Sequence, residues 1–331
     1  MDLQWRNFLL VVTLAAAAAT PASGQAVVPT AGPAAKGEAS AASVPDFSGL
    51  WVHANPGYEP LASGPTSLIN LSRRPNGTGD ILKLAGDYTN PILKHHAAEV
   101  VKRYGELGRN GIGAPNPRNQ CWPAGVPFVF SNGPTQLVQL PDKVVILYGY
   151  DHQFRHVRLN QSHPAKVTPS WYGDSVGHYE GDTLVVDTVG IKVGRYAMVD
   201  WYGTPHTEAL HVVERYRMLD PAAAKEGFER DAKEHNVGPR TPNRNGKYLQ
   251  LEFTVEDEGV FTTPWKATMT YTAISFDWAE SVHQIPPISR ALERALDVGN
   301  CCRGFVAAFV AGAHGRSWPN PAVPGIGRRV R

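Results

Sequence analysis

Histidine and carboxylate side chains that could perform acid–base chemistry are concentrated in one short segment. Residues 205–214 read PHTEALHVVE, with His206 and His211 flanking Glu208, and Glu214 following. Such groups can act as a base and its orienting partner, or can hold a divalent metal ion. His206 and His211 would face opposite sides of a regular strand, so they can meet only if His206 belongs to the preceding loop. Three interpretations stay open: acid–base chemistry, a weak metal site formed by His206, Glu208 and His211, or hydrogen-bonded structural histidines.

Two further charged residues lie in segments that read as strands. Asp187 follows the apolar run LVV and shares a predicted face with Val185. A buried carboxylate must be paired or must shift its pKa, so Asp187 is a candidate catalytic group, with Glu214 as the alternative orienting acid. Arg155 shares a face with Val157 and is predicted to point inward, where an arginine needs an acid or an anionic ligand. Asp187 is one candidate partner for it.

A second set of residues could bind a ligand beside these groups. Asp174 and His178 stand at the start of a predicted hairpin and could face the same site. Tryptophan side chains can stack on a sugar or an aromatic ring, although many also fill cores. The predicted binding residues are Arg155, Asp174, His178, Trp265 and Trp51.

Most of the chain has the alternation of half-buried antiparallel strands. Segments 143–148 and 154–160 predict one hairpin, and segments 175–179 and 183–189 predict a second around a glycine-containing turn. Segments 249–255 and 267–273 also alternate strictly between apolar and polar residues. Strands that bury one face must close on themselves or pack as two sheets. We therefore predict a mainly β fold, an antiparallel β-barrel or sandwich of calycin-like type, with one or two peripheral helices.

Two segments are exceptions to the strand pattern. Residues 90–107 predict a helix, because Asn90 can cap it, Pro91 suits its first position and Gly108 would end it. Residues 220–236 predict either a capped helix or a mobile insertion.

The two ends of the sequence differ from its body. Residues 1–24 predict a signal peptide cleaved before Gln25, which would make the protein periplasmic or secreted in a bacterium. Residues 25–44 form an Ala/Pro-rich linker, and residues 45–282 are predicted to form a single β-rich domain. Residues 283–331 are an Arg-rich tail, either genuine or the product of a shifted reading frame. Whether Cys121 forms a disulfide with Cys301 or Cys302 stays open.

Charge and motifs exclude several functional classes. The net charge of +2 comes from the tail, where residues 283–331 hold seven arginines and two acidic residues, so the body carries about −3. No basic stripe interleaved with aromatic residues is present, so we predict no nucleic-acid partner. No apolar run after the signal peptide is long enough to span a membrane. The motifs of serine hydrolases, P-loop NTPases and dinucleotide-binding enzymes are absent.

The body of the chain resembles a large family of exported bacterial proteins with no assigned activity. The resemblance lies in residues 173–188, GDSVGHYEGDTLVVDT, and in residues 203–215, GTPHTEALHVVER, and extends over roughly residues 45–275. Residues 46–51, DFSGLW, loosely resemble the first strand of lipocalin-like (calycin) barrels, where the tryptophan, here Trp51, plugs one end. The resemblance implies export and supplies no reaction.

These observations favour an exported small-molecule enzyme, a hydrolase, lyase or isomerase, using metal-independent acid–base chemistry at a barrel mouth. His206 or His211 would be the base, Asp187 or Glu214 the orienting acid, and Arg155 an anchor for an anion. The alternative is a non-catalytic binder of a hydrophobic or aromatic small molecule. No cofactor is predicted, and the partner in either case is a small molecule.

Overall fold

The structure of the protein is a computed structural model that describes residues 44–53, 56–131, 133–149, 153–235 and 246–274. The described residues lie in one compact unit. The predicted signal peptide, most of the linker, and the tail with Cys301 and Cys302 lie outside the described residues. Cys121 is disulfide-bonded.

The described part of the chain forms ten strands, two α-helices and one short 3₁₀-helix, Phe128–Ser131. The strands are β1 Gly49–Val52, β2 Glu59–Pro60, β3 Thr135–Gln139, β4 Lys143–Tyr148, β5 Gln153–Leu159, β6 Asp174–Glu180, β7 Thr183–Val189, β8 His211–Leu219, β9 Tyr248–Glu256 and β10 Trp265–Ile274. The helices are α1 His95–Arg109 and α2 Pro221–His235.

Nine of these strands close into a barrel. The order is β1-β3-β4-β5-β6-β7-β8-β9-β10, and β1 pairs with β10 to complete the wall, while the short β2 adds to β10. The predicted barrel is therefore confirmed. One feature differs from an antiparallel barrel, because β5 and β6 run parallel. Residues 160–173 connect these two strands, and parallel neighbours need such a long crossover.

The alternation of each strand sorts its side chains between the inside and the outside of the barrel. On β7, Leu184, Val186 and Thr188 are fully buried, whereas Asp187 points to the outer face. Large side chains fill the interior and bury enough apolar area to hold the wall closed. They include Trp51, Phe130, Leu137, Ile146, Phe253 and Trp265.

Helix α1 begins later than the sequence predicts, and the predicted range 90–107 is wrong at both ends. The Asn90 side chain accepts a hydrogen bond from the backbone N–H of Ile92, which makes a turn instead of a helix cap. Leu93 then forms a bridge with Phe261 and Lys94 has an extended backbone, so the helix begins only at His95. Gly108 does not end the helix. Its role is close packing, since a Cβ there would lie 2.0 Å from the carbonyl oxygen of Leu84.

Helix α2 resolves the second open segment in favour of a capped helix. Asp220 accepts hydrogen bonds from the backbone N–H groups of Ala222 and Ala223 at 2.8 and 2.9 Å, which satisfies two donors of the first turn. Neither described helix is long and apolar enough to cross a membrane.

Candidate functional site

A pocket opens where the parallel strands β5 and β6 separate. The two strands pair at only three positions, between Val157–Leu159 and Ser175–Gly177. Before those positions the first half of β5 and residues 170–174 diverge, and a pocket of about 390 Å³ lies between them. We call it the seam pocket. Its lining residues are Gln153, Phe154, Arg155, His156, Arg158, Ser170, Trp171, Tyr172, Gly173, Asp174 and Ser175.

Aromatic rings form much of the wall of the seam pocket. Phe154 is 61 % exposed, which is unusual for a phenylalanine and leaves its ring free to cover a ligand. Its ring lies 5.2 Å from that of His156. Tyr172 is buried and stacks on Tyr148 at 5.4 Å, so it is held in place from behind.

The outer rim of the pocket carries a tight ion pair. Arg158 on β5 donates two hydrogen bonds to Asp174 on β6, at 2.8 and 2.9 Å. This bidentate geometry is the strongest arrangement for a guanidinium and a carboxylate. The hydrogen bonds from Arg158, with a smaller contribution from His163, hold the pKa of Asp174 below its usual range despite partial burial.

Histidine and carboxylate groups continue from this pair across the outer face of the barrel. His163, in the β5–β6 connection, lies 2.6 Å from Asp174 through Nδ1 and 3.0 Å from Asp187 through Nε2. Asp187 also lies 3.1 Å from Nε2 of His211, whose Nδ1 is 3.5 Å from Glu256. We call this line of groups the outer chain: Arg158, Asp174, His163, Asp187, His211 and Glu256.

The outer chain shifts the ionisation of its central members. The hydrogen bond to Asp187 raises the pKa of His211, against the opposing effect of partial burial. The same contact, assisted by His163, lowers the pKa of Asp187. Both shifts favour the ion pair, so His211 stays protonated to higher pH than a free histidine.

A second polar network lies inside the barrel wall. Arg155 donates two hydrogen bonds to Glu214, at 2.8 and 2.6 Å, and both side chains are almost fully buried. Glu214 also accepts hydrogen bonds from the hydroxyls of Tyr216 at 2.7 Å and Thr188 at 3.3 Å. Burial alone would lower the pKa of Arg155, but the adjacent Glu214 charge outweighs it and raises this pKa. We call Arg155 and Glu214 the inner pair.

The structure separates residues that the sequence analysis assigned to one site. Arg155 points inward as expected, but its partner is Glu214, because Asp187 lies on the opposite face of the wall. Asp187 is also no buried carboxylate, since 41 % of its side chain is exposed. His211 belongs to the outer chain, whereas His206 is buried and donates from Nδ1 to the carbonyl of Thr207 at 3.1 Å. Burial lowers the pKa of His206.

The remaining predicted residues occupy separate places. Asp174 lines the seam pocket, whereas His178 lies on the exposed surface and pairs with Glu180 at 3.0 Å. Trp51 and Trp265 are buried in the core, at 1 % and 2 % exposure. Glu208 is exposed, and in the described part of the chain no group of three or more His, Cys, Asp or Glu residues is arranged to hold a metal ion.

His163 is the site residue that the sequence analysis did not select. It contacts both Asp174 and Asp187 because the connection that follows β5 crosses over to the parallel strand β6. The sequence does not indicate these contacts, since a single histidine before a proline, here Pro164, is common in loops.

The ionisation of His211 gives a direct test of the outer chain. We expect its pKa, followed by NMR titration of the imidazole, to lie above the usual value of about 6.5. Because the pKa of His211 is higher in the folded state than in the unfolded chain, the contact stabilises the fold fully below pH 6.5. This stabilisation is lost as the pH rises through the folded pKa. It also fades in strong acid, where Asp187 becomes protonated.

Two variants give the controls for that titration. Asp187→Asn should bring the His211 pKa down towards 6.5, and Glu256→Gln should lower it less because Glu256 lies farther away. An unchanged His211 pKa in Asp187→Asn would contradict the contact.

Comparison of the chain with protein-family models, with curated proteins and with solved structures found no match.

Proposed function

We propose that this protein is an exported small-molecule-binding protein whose ligand occupies the seam pocket. The observation that carries the proposal is a cavity of about 390 Å³ whose lining combines an exposed aromatic side chain, Phe154, with several polar and charged residues. Binding sites for small molecules are usually concave, and polar groups in their lining fix the orientation of the ligand. Export rests on the predicted signal peptide.

Three candidate histidines, His163, His206 and His211, are poorly placed to act as a general base. A general base needs a ring nitrogen free to take a proton from the substrate. His163 has a carboxylate at each of its two ring nitrogens, and so does His211. His206, the other candidate base, already uses Nδ1 on a backbone carbonyl and is buried. Hydrogen bonds from Arg158 and His211 lower the pKa values of Asp174 and Asp187, respectively, which makes these two carboxylates weak bases.

A metal-independent acid–base enzyme is the second candidate function. One contact favours it: Asp174 lines the pocket and is joined to His163 at 2.6 Å, which gives a route for a proton between the pocket and the outer chain. Such an enzyme would convert the molecule that it binds, so turnover of that molecule separates the two candidates.

Phe154→Ala is the sharpest test of the pocket. A small molecule that co-purifies with the full chain should be bound by this variant in an amount lower by a factor of about ten or more. The reason is that the substitution removes an aromatic ring from the pocket wall. The measurement is mass spectrometry of molecules released on denaturation. Since Phe154 is largely exposed, the free energy of unfolding should change by less than about 0.5 kcal/mol.

Leu82→Ala is the matched control. Leu82 is also an exposed apolar residue, at 76 %, but it does not line the pocket, so retention should equal that of the unmodified protein. Equal retention by both variants would disprove binding in the seam pocket. Chemical conversion of the retained molecule, lost in Asp174→Asn, would instead establish the enzyme.

A further inference from the structure

Three segments without acidic residues pack together beside the seam pocket. They are residues 110–131, 164–173 and 188–199, and they contain four basic residues and no aspartate or glutamate. The body of the chain carries about −3, so this part of it differs in charge from the rest. A surface with one sign of charge attracts molecules of the opposite sign.

Backbone contacts hold the three segments against one another. The N–H of Lys192 donates to the carbonyl of Ser170 at 2.8 Å, and the N–H of Val126 donates to the carbonyl of Trp171 at 3.3 Å. Gly194 lies directly against the Trp171 ring, since a Cβ at this glycine would be 2.6 Å from a ring carbon. The surface is therefore preorganised, which lowers the cost of ordering it around a ligand.

Three aromatic rings meet on this surface. The ring of Trp122 lies 5.3 Å from that of Trp171, at 89°, and 5.9 Å from that of Tyr196, at 74°. These edge-to-face contacts fix the orientation of Trp122. Even so, 36 % of Trp122 is exposed to solvent, so a ligand can reach its ring.

Two cations flank the rings and have no carboxylate partner. Nζ of Lys192 lies 5.0 Å from the centre of the Trp171 ring, and the guanidinium carbon of Arg195 lies 5.4 Å from the centre of the Tyr196 ring. Both basic side chains are exposed, and neither forms an ion pair with any residue that the structure describes. A cation held over a ring still has N–H groups that can donate to an acidic group.

We call the surface formed by these five side chains the basic face: Trp122, Trp171, Lys192, Arg195 and Tyr196. We propose that the basic face is a second binding site, which takes a ring-shaped molecule that bears a carboxylate or another acidic group. The ring packs against the exposed part of Trp122, and the acidic group accepts hydrogen bonds from Lys192 and Arg195. This inference goes beyond the proposed function, because only Trp171 of the five residues lines the seam pocket.

Three naphthalene derivatives of similar shape and different charge test the ligand class. These are 2-naphthoate, 2-naphthamide and 2-naphthylmethylammonium, titrated into the full chain at pH 7 and followed by protein-observed NMR. We expect the naphthoate to bind about fivefold more tightly than the amide, the usual upper effect of an exposed ion pair, and the ammonium to bind most weakly. The indole N–H signal of Trp122 should move as the naphthoate binds. Equal affinities for the naphthoate and the amide, or an unchanged Trp122 signal, would overturn the inference.

Lys192→Gln tests the basic group at the rings. This variant should bind the naphthoate about three- to fivefold more weakly and the amide equally well, because the substitution removes only the charge. Lys225→Gln is the matched control, since Lys225 is 78 % exposed on α2, which packs against β2, β9 and β10. It should leave both affinities unchanged. Equal naphthoate affinity in the two variants would contradict the role of Lys192.

Phe154→Ala separates failure of this inference from failure of the proposed function. Phe154 lines the seam pocket and is not part of the basic face, so naphthoate binding should survive its removal. Naphthoate binding that is weakened by Phe154→Ala and not by Lys192→Gln would place the anion in the seam pocket, which overturns the basic face and supports the pocket. No binding of the naphthoate at all overturns the basic face alone, because the proposed function is judged by the molecule that co-purifies with the chain.

Discussion

Glu214→Gln is expected to reduce the free energy of unfolding by about 3–5 kcal/mol, the usual cost of removing one partner of a buried ion pair. The substitution keeps the volume of the side chain but leaves Arg155 as an uncompensated charge inside the barrel wall. The rings of Phe130 and Tyr148 flank the Arg155 guanidinium at 5.9 Å, and their weaker attraction cannot replace that of a carboxylate. Denaturant unfolding of the full chain measures the loss. It is a large fraction of the stability of an ordinary domain.

Two further variants show whether the loss comes from the buried charge. Glu229→Gln disrupts a pair with Lys225 that is 78 % and 67 % exposed, so it should cost less than about 0.5 kcal/mol. Arg155→Met combined with Glu214→Gln removes both charges and keeps an acceptor for the hydroxyl of Tyr216. This double variant should be more stable than Glu214→Gln alone. A double variant that is less stable would refute the argument from an unpaired charge.

Gly173→Ala should disrupt the seam pocket and destabilise the protein by about 2–4 kcal/mol. Gly173 has φ of +68°, a conformation that costs an alanine about 1 kcal/mol. A Cβ at this position would also lie 2.6 Å from the carbonyl oxygen of Val189 and 2.7 Å from a methyl group of Thr188. Such overpacking adds about 1–3 kcal/mol and must displace the chain where it enters β6. Because Gly173 lines the pocket, the amount of small molecule retained by the protein should fall as well.

Gly181→Ala isolates the steric part of this effect. Gly181 has a similar φ of +60°, but no heavy atom lies within 4 Å of the position of its Cβ. Its replacement should therefore cost only the backbone strain, about 1 kcal/mol, and should leave ligand binding intact. Equal losses of stability in the two variants, measured by denaturant unfolding, would show that the contact with Val189 is unimportant.

The alternation of the strands made most of the barrel predictable. The bounds predicted for segments 143–148 and 183–189 coincide with β4 and β7, because each strand has one apolar face and a short turn at its end. The parallel pairing of β5 and β6 was not predictable. Residues 160–173 have no helical pattern to mark a crossover, and alternation within a strand says nothing about the direction of its neighbour.

The sequence predicted the orientation of single residues of the candidate site, but it did not predict which of these residues contact one another. The inward direction of Arg155 follows from its strand, since Val157 and Leu159 share its face. The choice of Glu214 as its partner depends on which strands are adjacent across the barrel, which the sequence does not state. His163 was missed for the same reason: it contacts Asp174 and Asp187 through the crossover and not through any local pattern.

The position of the outer chain on the solvent side of the wall has a consequence for how the protein responds to ionic strength. Mobile ions reach partly exposed pairs and screen them, whereas they are kept away from a pair sealed in the interior. Added salt should therefore weaken the ion pair that joins Arg158 on β5 to Asp174 on β6, while the Arg155–Glu214 contact keeps its strength. At high salt concentration the rim of the pocket should lose its order before the barrel unfolds.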